Sequence, residues 1–527
     1  MTETFKLTYG TMFNPPEELH IRFSEALRNV RENLGKEHGM IINGKERFTE
    51  EKFEDRNPSN TDMVLGIFQK GGITDARDAV EAAKKAFPVW SRMNWQDRVA
   101  LIRKAAEIMD RRIFEMGAVI ALEVGKNRME ALGDVAETAD LFRYACSQME
   151  ANNGFIHEMG RDPFVGYIST NVSVLRPYGV WLVISPFNFP CALTGGPTAA
   201  ALVTGNTVIM KPATDTPWTT RLIAECLREA GLPDGVFNYV TGPGSTVGQA
   251  LIDDPAIAGV TFTGSYDVGM KIFRDFAQGR WVRPTILELG GKNPAIVSRH
   301  ADLDTAAIGI VRSAFGLQGQ KCSACSRVYI EEPVYEPLIE KLVELTNKLT
   351  IGDPTDRNVY LGPVINRSSY RDFQNFCEEI SQAGGQFLTG GKILTEGEYA
   401  KGYFCAPTLV ADLPLTHRLW KHEMFVPITT VTKVSDLDEA MRYANDVDYG
   451  LTAGFYGAPE EADWFFDNIE AGVNYVNRPQ GATTGAWPGF QPFGGWKGSG
   501  ASGKNAGGLY YLQLYMREQI HTHVRKA

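Results

Sequence analysis

The chain lacks the positive charge that a nucleic-acid partner would require. Its 53 Lys and Arg are outnumbered by 63 Asp and Glu, leaving a net charge of −10 over 527 residues, whereas binding phosphates calls for a basic patch. A long apolar run is also missing. The most apolar segment, VWLVISPFNFPCALTGGPTAAALV, is interrupted by Pro186, Asn188, Pro190, Gly195, Gly196 and Pro197. A membrane span wants about 20 predominantly apolar residues that stay helical, so none is expected. No dense cysteine framework is present. Seven cysteines are scattered from Cys146 to Cys405; an odd, dispersed set fits reduced thiols in the cytoplasm. The first residues, MTETFKLTYG, carry no basic stretch leading into an apolar one, and no signal peptide is expected. Repeats, low-complexity tracts and long linkers are absent too.

What remains is an ordinary globular balance, 43% hydrophobic and 22% charged, in a chain long enough for about three structural units. Residues 1–56 read as a polar, partly helical lead-in ending at a turn near Asn57-Pro58. DARDAVEAAKKAF, from Asp75, places Ala76, Ala79, Val80, Ala83 and Phe87 on one helical face. More helix is expected through 97–109 and on to about 149. Between about Gly179 and Glu288 short apolar runs (GVWLVIS, NTVIMK, GVFNYV, AGVTFTG, TILEL) alternate with helical stretches (TTRLIAECLREAG, DVGMKIFRDFA). Gly231 and Pro233 stand where the first of those helices should stop. The alternation predicts a parallel sheet with helical crossovers, as in dinucleotide-binding folds. From about Lys292 to Glu470 a second alternating region (SRVYIEE, TLVADL, ITTVTKV and TAGFYG as strands, EPLIEKLVELTNKL and EEADWFFDNIE as helices) predicts a second α/β unit. Residues 160–178 and 507–527 fit neither. DPFVGYISTNVSVLRP reads as exposed strands, which need covering, so contact with another copy is expected.

Four segments offer chemistry. GLQGQKCSACSR puts Cys322 in a Gly/Gln loop beside Lys321 and Arg327. Electropositive company favours thiolate, the competent nucleophile. A lone cysteine is more often a small buried residue, and Cys322-x-x-Cys325 also suggests a redox or zinc pair. A thioredoxin-like context and two further ligands are both missing, so no metal is expected. TILELGGKNPAIV ends a strand on Glu288; a carboxylate in apolar surroundings has a raised pKa and can act as general base. Alone, it reads as a surface charge. VISPFNFP carries Asn188, whose amide can donate to an oxyanion or simply satisfy a turn. VIMKPA and FTGS place Lys211 at a strand end and Gly264-Ser265 before a helix, where backbone donors suit a pyrophosphate. GPGSTVG is a second glycine-rich turn. Neither is GxGxxG, and each motif alone is weak.

Taken in order, PFNFP, KPA, FTGS, ELGGKNP, GQKC, EMFVP, NDVDYGLTAG and PFGGWKGSG resemble the aldehyde dehydrogenase superfamily, over about residues 40–515. The resemblance implies an α/β fold with a Rossmann-type cofactor domain (1–157 and 179–290), an α/β catalytic domain (291–485) and a small β oligomerisation element (158–178 and 505–527). It implies that Cys322 is the nucleophile, Glu288 the base for a deacylating water, and Asn188 an oxyanion donor with the Cys322 N–H. For NAD or NADP it implies contacts from Ser185, Pro186, Lys211, Thr214, Gly244, Gly264, Ser265, Leu289, Glu423 and Phe425. FGLQGQKCSACSR, TGAWPGFQPFGG, AGGLYYLQLYMRE and DVAETAD look most like the 1-pyrroline-5-carboxylate dehydrogenases, which oxidise L-glutamate γ-semialdehyde. That likeness implies a substrate site of Glu137, Phe189, Ser323, Gly485, Ala486 and Phe493, in which Ser323, Gly485 and Ala486 cradle a carboxylate and Glu137 faces an amino group. A different semialdehyde or an aliphatic aldehyde of similar length is the alternative substrate.

The chain also departs from the pattern. Thr214 stands where the subfamily usually has Glu. Loss of that carboxylate removes repulsion of a 2′-phosphate and points to NADP being accepted. The loop from Arg478 to Gln491 reads as about three residues longer than usual, with Trp487 and Pro488 in place of aliphatics; Phe187 replaces a Trp and Val426 a Gly.

Overall fold

The computed structural model describes Leu7, Met12 and residues 15–527. The residues read above for a signal peptide lie mostly outside these. Short apolar runs bounded by glycine do form buried strands: Val180–Ile184, Thr207–Lys211, Phe237–Tyr239, Ile257–Thr263 and Thr285–Glu288. They run parallel in the spatial order 285–288, 257–263, 180–184, 207–211, 237–239. The chain therefore builds outward from 180–184, then returns to its other side at 257–263. A crevice opens at such a reversal, beyond the carboxyl ends of the strands. The crossover helix Pro217–Ala230 starts with Pro217 at its first turn and stops at Gly231, in the left-handed conformation with φ 94°.

The lead-in is more than the partly helical stretch expected. Besides the helix Glu17–Arg31 it contributes Met40–Ile42 and Lys45–Arg47, which extend this sheet antiparallel from Tyr239. Each is three residues long, too short to show a period, and Met40, Ile41 and Ile42 are all buried, so no alternation is visible. Their turn is Asn43-Gly44, with φ 51° and 73°, the residue pair that a two-residue hairpin favours.

The second α/β unit is a seven-stranded sheet in the order 386–389, 408–411, 428–434, 325–331, 293–297, 452–456, 473–476. It is parallel except at the 386–389 edge. Helices Arg128–Ala151 and Ala192–Val203 pack against each other beneath the crevice. The remaining segments form a third sheet. Met516–Lys526 pairs antiparallel along all of Tyr167–Pro177, and Ile156–Glu158 pairs on the other side. Ile156, Tyr167, Ile520 and Val524 of this sheet are exposed. Among the described residues no helix is long and apolar enough to cross a membrane.

Candidate active site

The crevice gathers the sequence motifs at strand ends. Ser185 and Pro186 follow 180–184, Lys211 ends 207–211, Gly264 and Ser265 follow 257–263, and Glu288 ends 285–288. Ser265 is the residue before helix Tyr266–Ala277, and its hydroxyl makes no capping bond there. The helix start is thus left open to an anion, where backbone N–H groups and the helix dipole favour negative charge. Lys211 is buried, donates to the Pro212 carbonyl at 2.8 Å, and burial lowers its amine to about 8. Thr214 is exposed beyond it, as is Gly244 at the second glycine-rich turn. Leu289 donates its N–H to Ser499.

Cys322 lies in the loop between the turn Gly316–Gly319 and strand Cys325–Glu331. All seven cysteines are unbridged; six are buried, and Cys322 is partly exposed. Its carbonyl accepts from Asn293 Nδ2 at 2.7 Å. The Gly-Gly after Glu288 has a steric cause. A Cβ on Gly291 would sit 2.2 Å from the Cys322 carbonyl, and one on Gly290 2.2 Å from a Glu423 carboxylate oxygen. Glu423 accepts from the Gly291 N–H at 2.8 Å, and burial raises it to about 7. Beside it Phe425, at φ 56°, meets Phe187 edge to face with ring centres 5.8 Å apart. The residues present fit NAD(P): the open helix start at Ser265 suits phosphate, Lys211 offers a buried amine, and Glu423 a carboxylate two residues before Phe425 of the aromatic pair.

The electropositive setting expected for Cys322 is not found. Lys321 Nζ is ion-paired to Glu130 at 2.7 Å. Arg327, fully buried, donates to the carbonyls of Lys292, Tyr443 and Ala444. With both cations committed elsewhere, burial and the carboxylates of Glu423 and Glu288 push the Cys322 thiol up to about 12. Adjacency in sequence did not mean adjacency of charge.

Glu288 is only 7% exposed, and its Oε2 has no hydrogen-bond partner among the described residues. Burial raises its carboxyl to about 8, as an apolar setting requires. Asn188 is buried and donates through Nδ2 to the Gln320 carbonyl at 2.9 Å, two residues before Cys322. Nδ2 carries a second hydrogen.

Cys322, Glu288, Glu137, Phe189, Ser323, Gly485, Ala486 and Phe493 line one cavity. Its wall is mostly apolar, with Trp487, Pro488 and Leu141 contributing. Thr483 Oγ1 donates to the Ser323 carbonyl at 2.6 Å and so ties the nucleophile loop to Gly485-Ala486. Gly485 sits at φ 146°, and a Cβ there would meet the Arg478 guanidinium at 1.7 Å. Arg478 donates to the Thr484 carbonyl and Tyr475 to that of Gly485, which fixes this turn from outside. Glu137 is partly buried; burial and Asp134 raise its carboxyl to about 8.

Three contributors were missed in the sequence. Tyr511 lines the cavity and shares a hydrogen bond with Tyr515. The fully buried Lys126–Asp134 pair, 2.9 Å, sets Lys126 3.6 Å from the Phe189 ring centre and Asp134 on the Ala192 N–H. Glu130 holds Lys321. The acids Glu130, Asp134 and Glu137 recur at four and three residues along one helix, a spacing that puts them on one face. That pattern was available, although such a run usually marks a solvated surface.

A parallel sheet whose strand order reverses beside 180–184, with Glu288 at the end of one strand and sharing a cavity with Cys322, fits an oxidoreductase of the α/β class. The model of the aldehyde dehydrogenase family matches residues 46–520. The chain is 41% identical over 500 residues to a 1-pyrroline-5-carboxylate dehydrogenase of Geobacillus sp. (strain WCH70), covering 94% of each. It is similar to the structure of a 1-pyrroline-5-carboxylate dehydrogenase from Thermus with bound NAD, at TM-score 0.91 and 38% identity over 97% of each chain. It is also similar to an E. coli NADP dependent enzyme, at TM-score 0.86 and 29% identity over 94% of this chain and 99% of that one. The chain belongs to the aldehyde dehydrogenase family. It is an NAD(P)-dependent aldehyde oxidoreductase.

Proposed function

We propose that the chain oxidises L-glutamate γ-semialdehyde, the open form of 1-pyrroline-5-carboxylate, to L-glutamate in proline catabolism. The carrying observation is that Cys322 and Glu288 share one cavity with Ser323, Gly485, Ala486 and Glu137. The aldehyde end meets the reactive pair, while a hydroxyl and two adjacent backbone N–H groups receive the α-carboxylate and Glu137, when ionised, the ammonium. Relatives at about 40% identity with this activity support the reading. Three units follow: cofactor-binding (1–157 and 179–290), catalytic (291–485) and oligomerising (158–178 and 505–527). The exposed apolar residues of the third sheet favour a homo-oligomer, and seven unbridged thiols fit the cytoplasm.

In this mechanism Asn188 Nδ2 and the Cys322 N–H donate to the aldehyde oxygen as Cys322 Sγ adds to its carbon. The thiol proton passes to solvent, and the aldehyde oxygen takes the electron pair of its broken π bond as the oxyanion of a thiohemiacetal held by those two donors. Lys211, Ser265, Glu423 and Phe425, with Ser185, Pro186, Gly244, Gly264 and Leu289 lining the path, would hold NAD(P), which would supply the hydride acceptor for oxidation of the thiohemiacetal to a thioester. Glu288 takes a proton from water, whose oxygen attacks the thioester carbon; the C–S bond breaks, the acid leaves, and the Cys322 thiolate regains the proton from Glu288.

A substrate panel tests the specificity. kcat/KM for glutamate γ-semialdehyde is expected to exceed that for an unsubstituted aldehyde of equal length by at least about 100-fold, because a site built for polar groups rejects analogues lacking them. Equal values would overturn the substrate and leave a general aliphatic aldehyde dehydrogenase. Cofactor choice is tested separately. With Thr214 exposed and uncharged, NADP is expected to reach a kcat/KM within about tenfold of NAD, ~1.4 kcal/mol. Thr214→Glu should then depress NADP selectively through like-charge repulsion. Strict NAD use by the unaltered protein would refute this.

A further inference from the structure

The loop that presents Cys322 is held in an uncommon backbone conformation. Leu317, Gln318 and Gly319 lie in succession at φ 49°, 54° and 68°. Residues with a Cβ pay for the left-handed region, and such conformations persist only where the surroundings over-determine them. Several groups hold this loop, Asn293 among them through the carbonyls of Cys322 and Ala324. Gln318 Nε2 donates to the Gly125 carbonyl at 3.2 Å, Gln320 Oε1 accepts from the Ile365 N–H at 3.0 Å, and Asn188 binds the Gln320 carbonyl.

Glu130 spans the left-handed run itself. Its Oε2 accepts from the Leu317 N–H at 3.1 Å, where the left-handed run begins, and its Oε1 accepts from Lys321 Nζ at 2.7 Å, one residue before Cys322. The Glu130 and Lys321 side chains are 9% and 8% exposed. The carboxylate is itself fixed. Asn127 caps helix Arg128–Ala151, accepting from the N–H groups of Met129 and Glu130, and donates to Glu130 Oε2 at 3.1 Å.

We propose that Glu130 is a positioning residue for the nucleophile. It fixes the left-handed turn and thereby the direction of the Cys322 sulfur toward the carbonyl carbon. The inference rests on Cys322 being the nucleophile. A purely structural Glu130 would lower stability and leave the folded enzyme as active as before. A positioning Glu130 sets reactivity, because a misplacement of about 1 Å at a reacting atom costs on the order of 100-fold in rate.

The test compares Glu130→Gln and Glu130→Ala with the unaltered protein in four readouts: melting temperature, kcat, KM for aldehyde and NAD, and the rate at which iodoacetamide alkylates Cys322, with Cys322→Ala identifying the labelled thiol. Glu130→Ala is expected to lose on the order of 100-fold in kcat with both KM values nearly unchanged, together with an altered labelling rate. Glu130→Gln, which keeps an oxygen for the Leu317 N–H, should fall between. Wild-type kcat and labelling in the folded variants would overturn the proposal. If Glu130→Ala does not fold, Glu130→Gln decides: a loss of kcat per folded molecule supports positioning, and wild-type kcat overturns it. Retained activity in Cys322→Ala would instead overturn the nucleophile assignment.

Discussion

Cys322→Ala is expected to lower kcat for aldehyde oxidation by at least about 10⁴-fold, the scale seen when a catalytic nucleophile is deleted. The protein should still fold, since Cys322 is partly exposed and the substitution opens little core. Cys325→Ala is the matched control. Cys325 is buried three residues on, with its sulfur 3.8 Å from the Arg327 carbonyl. Its loss should cost stability, ~1 kcal/mol for a small buried side chain, and leave kcat within about tenfold. Circular dichroism and NADH formation at saturating substrate measure both. The reverse outcome, an inactive Cys325→Ala and an active Cys322→Ala, would make Cys325 the nucleophile.

Glu288→Gln carries the second large effect. A positioned general base contributes about 10²–10⁴-fold, so steady-state turnover should fall by that range. The loss belongs to thioester hydrolysis, so the first turnover should survive as a burst of NADH. The pH dependence has a definite sign. With its carboxyl raised to about 8 by burial, Glu288 becomes a competent base as pH rises through about 8. The turnover of the unaltered enzyme should climb there and level off above; the Gln variant should lack that limb. Stability runs the opposite way. A carboxyl whose folded pKa lies above its unfolded value binds its proton more tightly when folded, so its contribution is lost as pH rises from about 4.5 toward 8. Glu288→Gln should therefore melt higher than the unaltered protein at pH 8, with the gap closing at pH 5. An unchanged melting curve at both pH values would show that Glu288 is solvated.

The strands that carry these residues were legible because they are continuous apolar runs ended by glycine or a charged residue, and burial on both faces leaves that signature. Glu288 and Asn188 could be located for the same reason: each follows or ends such a run. The hairpin 40–47 was harder, being too short for a period, and only Asn43-Gly44 announced it. The state of the Cys322 thiol was misread for a different reason. Lys321 and Arg327 flank it in sequence, but one side chain turns to helix Arg128–Ala151 and the other into the core beneath Tyr443. Directions of side chains follow from tertiary packing, which a local reading does not contain. Glu130 and Asp134 were hidden by the same limit, whereas Glu137 was named only through the resemblance. In RMEALGDVAETAD the three acids look like a solvated face, and the packing of that helix gives Glu130 and Asp134 buried lysine partners and sets Glu137 on the cavity wall.

In the proposed mechanism the aldehyde carbon becomes bonded to Cys322, and Glu288 in the same cavity activates the water that releases the acid. Glu288→Gln, mixed with NAD and glutamate γ-semialdehyde, quenched in acid and digested, offers the most direct view by mass spectrometry. A glutamyl thioester on the peptide containing Cys322, formed at the rate of the NADH burst, is the predicted result. An adduct on Cys325, or a burst with no acyl group on any cysteine, would contradict it.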